Sequence, residues 1–226
     1  MAKFAKKIHE NNEILLIKKF IRIFRSKQQN NKKKRFSFVL TGGDSPIKLY
    51  KYLAKSKKIN WGNIDFFIGD ERFVKENSKD SNICMCKKHL LNKIKISKKQ
   101  IYKISTEKLS LKESVIDYEN KIKKYFPGKN SKFDLVLLGI GNDGHIASLF
   151  RNNINKKNNK NVKFVKSKDF LRISLTLKSI NNSKNIFLWA PGSKKSLIIK
   201  KILRDNKFKY PASFLKEKNS FLFYSN

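Results

Sequence analysis

The period of the apolar positions changes several times along the chain, and each change marks an element. Ile14, Ile17, Ile21 and Phe24 recur at helical spacing, which predicts an amphipathic helix near residues 10–28. A polar linker spans Gln28 to Lys34, and Phe36-Ser-Phe-Val-Leu40 then reads as a short strand. That strand breaks into Thr41-Gly-Gly-Asp-Ser-Pro46, and a helix continues through Tyr50 and Leu53. Pro46 suits the first helical turn, with Asp44 or Ser45 as the cap. The next strand is Asp65-Phe-Phe-Ile-Gly69, running into Asp70-Glu-Arg-Phe-Val74. Asp80 or Ser81 can cap a helix through Leu91. Residues 100–104 read as a strand, and 107–126 as a helix closed by Pro127-Gly128. The apolar run Leu135 to Leu138 is a buried strand that opens into a glycine turn ending at His145. Beyond a polar, loop-like stretch at 151–159 come strands at 172–177 and 186–190, a helix near 193–204 and a last strand at 221–224.

Strands alternating with helices imply an α/β fold, with a mostly parallel open sheet flanked by helices in a Rossmann-like arrangement. There is no internal repeat and the linkers are short, so residues 1–226 are expected to form one domain. Four turns each follow a strand: 41–46, 69–74, 139–148 and 191–195. The carboxyl ends of parallel strands line the ligand crevice of such sheets, so all four turns could meet there. Of only 17 acidic residues, Asp44, Asp70, Glu71 and Asp143 fall on these turns.

Composition narrows the class. With 39% hydrophobic residues the chain can bury a core. No apolar run approaches the roughly 18 residues that span a bilayer, and no signal-peptide pattern is present, so no membrane partner is expected. Cys84 and Cys86, one residue apart, suit neither a disulfide nor a zinc site, which favours a reducing cytoplasm. The formal net charge of +36 invites a nucleic-acid reading. The lysines are spread over nearly every segment, however, and no aromatic RNA-binding pattern accompanies them. No specific nucleic-acid partner is expected, although the charge should draw in anionic substrates.

The candidate chemistry sits on the strand-end turns. Gly139, Gly141 and Gly144 match G-x-G-x-x-G, the dinucleotide fingerprint. That reading needs a long helix directly afterwards, whereas Ile146-Ala-Ser-Leu-Phe150 runs into a polar loop. A loop presenting Asp143 and His145 is the better use of these residues, because a carboxylate that orients an imidazole makes a general base. Gly42, Gly43, Asp44 and Ser45 can form an anion cradle at the start of a helix, or an ordinary capped turn. Arg172 and Lys195 can hold the same anion, or be surface charges. Arg72 can grip a phosphate or carboxylate, or neutralise Asp70 and Glu71 beside it. His9 and His89 lie in helical, charged surroundings and carry no such case. Ser148 lies outside any G-x-S-x-G, and no H-E-x-x-H or cysteine cluster suggests a catalytic metal.

Taken together, Leu40-Thr-Gly-Gly-Asp-Ser-Pro46, Phe66-Phe-Ile-Gly-Asp-Glu-Arg-Phe-Val74, Asp80-Ser-Asn82, the block from Phe133 to Phe150, Arg172-Ile-Ser-Leu-Thr-Leu177 and Pro211-Ala-Ser213 resemble the glucosamine-6-phosphate isomerase/6-phosphogluconolactonase superfamily, on its lactonase side. The resemblance implies hydrolysis of a phosphosugar lactone, 6-phospho-D-glucono-1,5-lactone, to 6-phosphogluconate in the oxidative pentose phosphate pathway, with no metal or organic cofactor. It implies that His145 activates water and Asp143 orients it. It implies that the turn from Gly42 through Asp44 to Ser45, with Arg172 and Lys195, holds the 6-phosphate. Arg72 would bind substrate or stabilise developing charge. Oligomeric state stays open. The chain departs from the family pattern at Arg151, where proline is usual, and at Phe214, where arginine often stands. The short N-terminus puts the family's first strand in question. The sister activity, glucosamine-6-phosphate deamination and isomerisation, typically continues Ala-Phe-Asn-Glu-Pro after the histidine; here Ala147-Ser-Leu-Phe150 follows.

Overall fold

A computed structural model describes residues 4–31, 35–128, 131–154, 159–205 and 207–225. Parts of the 28–34 linker and of the 151–159 loop lie outside the described residues. In chain order the elements are β1 (Lys6–Glu10), α1 (Glu13–Gln29), β2 (Phe36–Leu40), α2 (Ile47–Ala54), β3 (Ile64–Ile68), β4 (Asp70–Arg72), α3 (Asn82–His89), β5 (Ile101–Tyr102), α4 (Leu111–Tyr125), β6 (Leu135–Gly139), β7 (Val162–Lys166), β8 (Leu171–Leu175), α5 (Leu177–Asn181), β9 (Ile186–Ala190), α6 (Ser196–Leu203) and β10 (Ser220–Ser225).

The described strands form a seven-stranded sheet in the order β1-β10-β9-β6-β2-β3-β5 and a three-stranded sheet in the order β4-β8-β7. Every pairing in the large sheet is parallel. From β2 the chain builds outward through β3 to β5, then returns to the other side of β2 and builds β6, β9 and β10. The switch point is therefore the β2/β6 boundary, where such sheets open a crevice. Ser37 and Asp134 bind each other across the start of that boundary: the Ser37 N–H and hydroxyl both donate to Asp134 Oδ2 at 2.9 Å. At the far end the Gly139 N–H donates to Thr41 Oγ1 at 3.1 Å.

β2, β3 and β9 are buried along their whole length, as strands covered on both faces must be. On one face Phe20 of α1 meets Phe187, Trp189 and Phe223 at ring centroids of 5.2–5.6 Å, and Phe24 meets Phe38 at 5.0 Å. Elsewhere Phe67 gathers Tyr125 and Phe133, both at 5.0 Å. Each aromatic pair contributes about 0.5–1.5 kcal/mol beyond its area. The helix starts are capped locally: Asn12 caps α1, Ser81 caps α3, and Ser110 with Glu113 forms a capping box on α4.

Several expectations are corrected. Residues 6–10 do form a strand, β1, paired with β10, so the first strand is present and His9 lies on it rather than on a helix. Its apolar signal is thin because a half-exposed edge strand needs little of it. The strand expected at 172–177 ends at Leu175; Thr176 instead caps α5 through the Ser179 N–H. That strand is antiparallel and lies outside the large sheet. β4 and β7 carry no apolar run that would announce them. Helix α2 starts at Ile47 with Pro46 in the cap position and no side-chain cap bond; the Asp44 carbonyl accepts the Ile47 N–H. The expected helix through Leu91 ends at His89 and tightens into a 3-10 turn.

Candidate active site

The cradle after β2 is held from three sides. Tyr50 of α2 accepts the Thr41 N–H at 3.0 Å and donates to the Thr41 carbonyl at 2.7 Å. The Trp189 indole donates to the Ser45 carbonyl at 3.0 Å. The Asn82 carboxamide occupies the space a Cβ at Gly42 would need, so glycine is required there. Asn82 in turn donates to the Asp70 carbonyl at 2.6 Å. Gly43 has φ 77°, a left-handed conformation suited to glycine.

The small sheet supplies cations. Asp70, Glu71 and Arg72 pair with Ser174, Ile173 and Arg172, which sets two guanidinium groups opposite each other. Like charges directly across a strand pair repel. Both lie over the Phe170 ring, at 5.7 and 5.6 Å. Arg72 Nη1 donates to the Asp80 carbonyl at 2.6 Å, while its buried Nε has no hydrogen-bond partner. Arg172 Nε donates to Ser167 Oγ at 3.0 Å, and its Nη1 lies 3.9 Å from Asp70. Burial, with the Arg72 charge beside it, lowers the Arg172 pKa, against the pull of Asp70.

Glu71 does not face the cleft. It accepts the N–H groups of Arg72, Asn82 and Ile83 at 2.7–2.9 Å and so ties Arg72 to the start of α3. Burial pushes its carboxyl up to about 7, against those three donors. Asp70 accepts the Ser148 hydroxyl at 2.6 Å. Ser148 is fully buried by that bond, which fits its exclusion as a nucleophile.

After β6 the chain makes a tight turn and no helix, as expected from the polar residues that follow. Asp143 Oδ1 lies 2.6 Å from His145 Nδ1 and accepts the His145 N–H at 3.2 Å. A carboxylate on Nδ1 fixes the tautomer with its proton there and leaves the Nε2 lone pair to work. Burial would raise the Asp143 carboxyl, but the His145 charge and hydrogen bonds outweigh it and hold it below its ordinary value. The His145 ring packs at 4.7 Å on Phe150, which also carries Arg172 at 5.9 Å. A Cβ at Gly141 would collide with the imidazole.

These turns open on one cleft. Gly42, Gly43, Asp44, Ser45, Arg72, Arg172 and His145 all line it. Asp143 sits behind His145 rather than on the wall. Lys195, from the fourth turn, donates to Asn142 Oδ1 at 2.9 Å, so it reaches the histidine loop and not the wall lined by the cradle. Burial lowers its pKa, and Asp143 opposes that shift. Sequence reasoning gave no site role to Asn82, which lines the cleft beneath Gly42. Its one available signal was the Asp80-Ser-Asn82 turn.

A glycine cradle at the switch point, two arginines and an oriented histidine thus gather at one cleft of an α/β enzyme fold. The family model for "Glucosamine-6-phosphate isomerases/6-phosphogluconolactonase" matches residues 15–223, and the chain belongs to that family. It is 35% identical to the 6-phosphogluconolactonase of Haemophilus influenzae over 190 residues, covering 80% of this chain and 79% of that one. It is 31% identical to the 6-phosphogluconolactonase of Thermotoga maritima, covering 82% of each. The crystal structure of 6-phosphogluconolactonase from Thermotoga maritima superposes with a TM-score of 0.85 at 28% identity, over 97% of this chain and 99% of that one.

Proposed function

We propose that this chain hydrolyses 6-phospho-D-glucono-1,5-lactone to 6-phosphogluconate, the lactone-opening step of the oxidative pentose phosphate pathway. The observation that carries the reading is His145, held by Asp143 and facing the same cleft as the glycine cradle and both arginines. The relatives named as 6-phosphogluconolactonases support it. The Gly42 to Ser45 backbone and Arg172 take the 6-phosphate, and Lys195 adds positive charge at the histidine loop. His145 Nε2 takes a proton from water as its oxygen bonds to the lactone carbonyl carbon. Arg72 stabilises the charge developing on the carbonyl oxygen. Collapse of the tetrahedral intermediate breaks the bond from that carbon to the ring oxygen, and His145 returns the proton to the departing oxygen. The product leaves as a hydroxy acid, which ionises to the carboxylate in water. The chain needs no cofactor for these steps.

The deaminase reading is not favoured: Ser148 and Leu149, two of the residues after the histidine loop, are buried and give the cleft no further carboxylate. Among the described residues no helix is long and apolar enough to cross a membrane. A cytoplasmic site of action and the absence of a specific nucleic-acid partner belong to this proposal. The test is lactone opening by purified protein, with the lactone generated in place by glucose-6-phosphate dehydrogenase and the product read by an NADP-linked dehydrogenase. We expect acceleration well above spontaneous hydrolysis; a rate equal to the spontaneous one overturns the assignment.

A further inference from the structure

The turn that carries His145 is built from glycines, which bring little stiffness of their own. Asp143, the partner that orients the ring, has a side chain 60% exposed, so water competes for it. Something further must fix the loop, and residues 207–215 lie against it. The Tyr210 ring packs on Gly144, 2.9 Å from where a Cβ there would stand. The Ala212 N–H donates to the Gly144 carbonyl at 3.0 Å. On the other flank of the histidine, Arg151 Nη1 donates to the Phe208 carbonyl at 2.8 Å, and its guanidinium lies over Phe214 at 5.9 Å. Phe208 and Phe214 meet at 5.3 Å. The segment is knotted by Asp205, which accepts the Lys207 and Tyr210 N–H groups at 3.1 Å and the Ser213 hydroxyl at 2.7 Å.

We infer that residues 207–215 act as a brace that sets the position of the His145 loop, with Tyr210 and Arg151 as its positioning residues. The inference rests on the lactonase reading for its kinetic consequence and on geometry for the brace itself. Arg151 and Phe214, the two places where the chain departs from the family pattern, are each other's partners in it. Neither residue lines the cleft. A displaced general base lowers turnover without weakening the grip on substrate, because the cradle and arginines are untouched.

The experiment compares Tyr210→Ala with Tyr210→Phe, and Arg151→Ala with Arg151→Lys, in the full chain. Tyr210→Ala should lower kcat by about 10-fold or more with KM within about twofold, while Tyr210→Phe, which keeps the ring on Gly144, stays near the unmodified enzyme. Arg151→Ala should lower kcat by roughly threefold, with part of the loss recovered in Arg151→Lys; its exposed side chain makes it the fallback if Tyr210→Ala does not fold. A second readout does not depend on turnover: carbethoxylation of His145 by diethyl pyrocarbonate, followed by peptide mass spectrometry with His9 and His89 as internal standards. It should quicken severalfold in Tyr210→Ala. Unchanged kcat together with unchanged His145 labelling overturns the brace, as does a rise in KM at constant kcat, which would make the segment part of the substrate grip. If the unmodified enzyme opens no lactone, the functional reading fails instead, and the labelling rates alone decide the brace.

Discussion

The two sheets solve opposite problems. The large parallel sheet buries β2, β3 and β9 completely and contributes to the cleft the turns that carry the glycines, Asp44 and His145. The small antiparallel sheet is half exposed and contributes Asp70, Arg72 and Arg172. One is arranged for stability. The other tolerates two facing guanidinium groups, a local cost that Phe170 beneath both and Asp70 beside Arg172 offset in part. The two sheets remain separate pieces of backbone that share a border at Gly69, whose carbonyl accepts the Leu175 N–H and whose N–H donates to the Leu40 carbonyl.

That separation is open to direct challenge. The largest effect is expected at the hinge of the chemistry: His145→Ala should lower kcat by about 10²–10⁴-fold while the melting temperature holds, checked by the coupled assay and calorimetry. Comparable activity in the variant would remove the histidine from the mechanism. Next, Phe187→Ala in the large sheet should cost about 3–5 kcal/mol in urea unfolding. Arg172→Ala in the small sheet should cost little there, or even stabilise, yet raise KM about 10- to 100-fold, the worth of a charge-assisted anion contact. Equal stability losses at both positions would collapse the distinction.

A smaller effect is expected on the pH axis. Glu71 is raised from its ordinary 4.5 to about 7, mainly by burial. Between those values the folded chain holds a proton that the unfolded chain has released. Its contribution to stability is therefore fully present below about 4.5 and is lost as pH rises toward about 7, by the order of 3 kcal/mol. Urea midpoints across that window should fall more steeply for the natural chain than for Glu71→Gln. Parallel slopes would show that Glu71 is ionised throughout.

How far the chain could be read in advance follows the same division. The large sheet announces itself because a strand covered on both faces is a nearly continuous apolar run, as Ile186–Ala190 is and as Phe36–Leu40 is but for Ser37. The glycine turns at 42–43 and 139–145 were legible because few residues other than glycine suit them. The small sheet was hidden. Asp70–Arg72 looks like a charged loop, and Val162–Lys166 alternates lysine with apolar residues just beyond a polar loop. β4 acquires its meaning only from β8, about 100 residues away in sequence, while β7 pairs with β8 close by. β1 was missed for a related reason, since an edge strand satisfies the sheet with few apolar side chains. Lys195 donates to Asn142, a contact that its spacing from Gly192 could not foretell.

The pairing of β1 with β10 also shapes how the molecule is made. Among the described strands β1 emerges first during synthesis and β10 last, and β10 is the only neighbour β1 has. Until β10 has emerged, then, β1 has no described strand to join, and the row β10-β9-β6 is incomplete. Lys6 and Lys7 give the waiting segment charge that discourages pairing with another nascent chain. Docking of β1 is thus a very long-range contact, which predisposes the chain to a slow folding step.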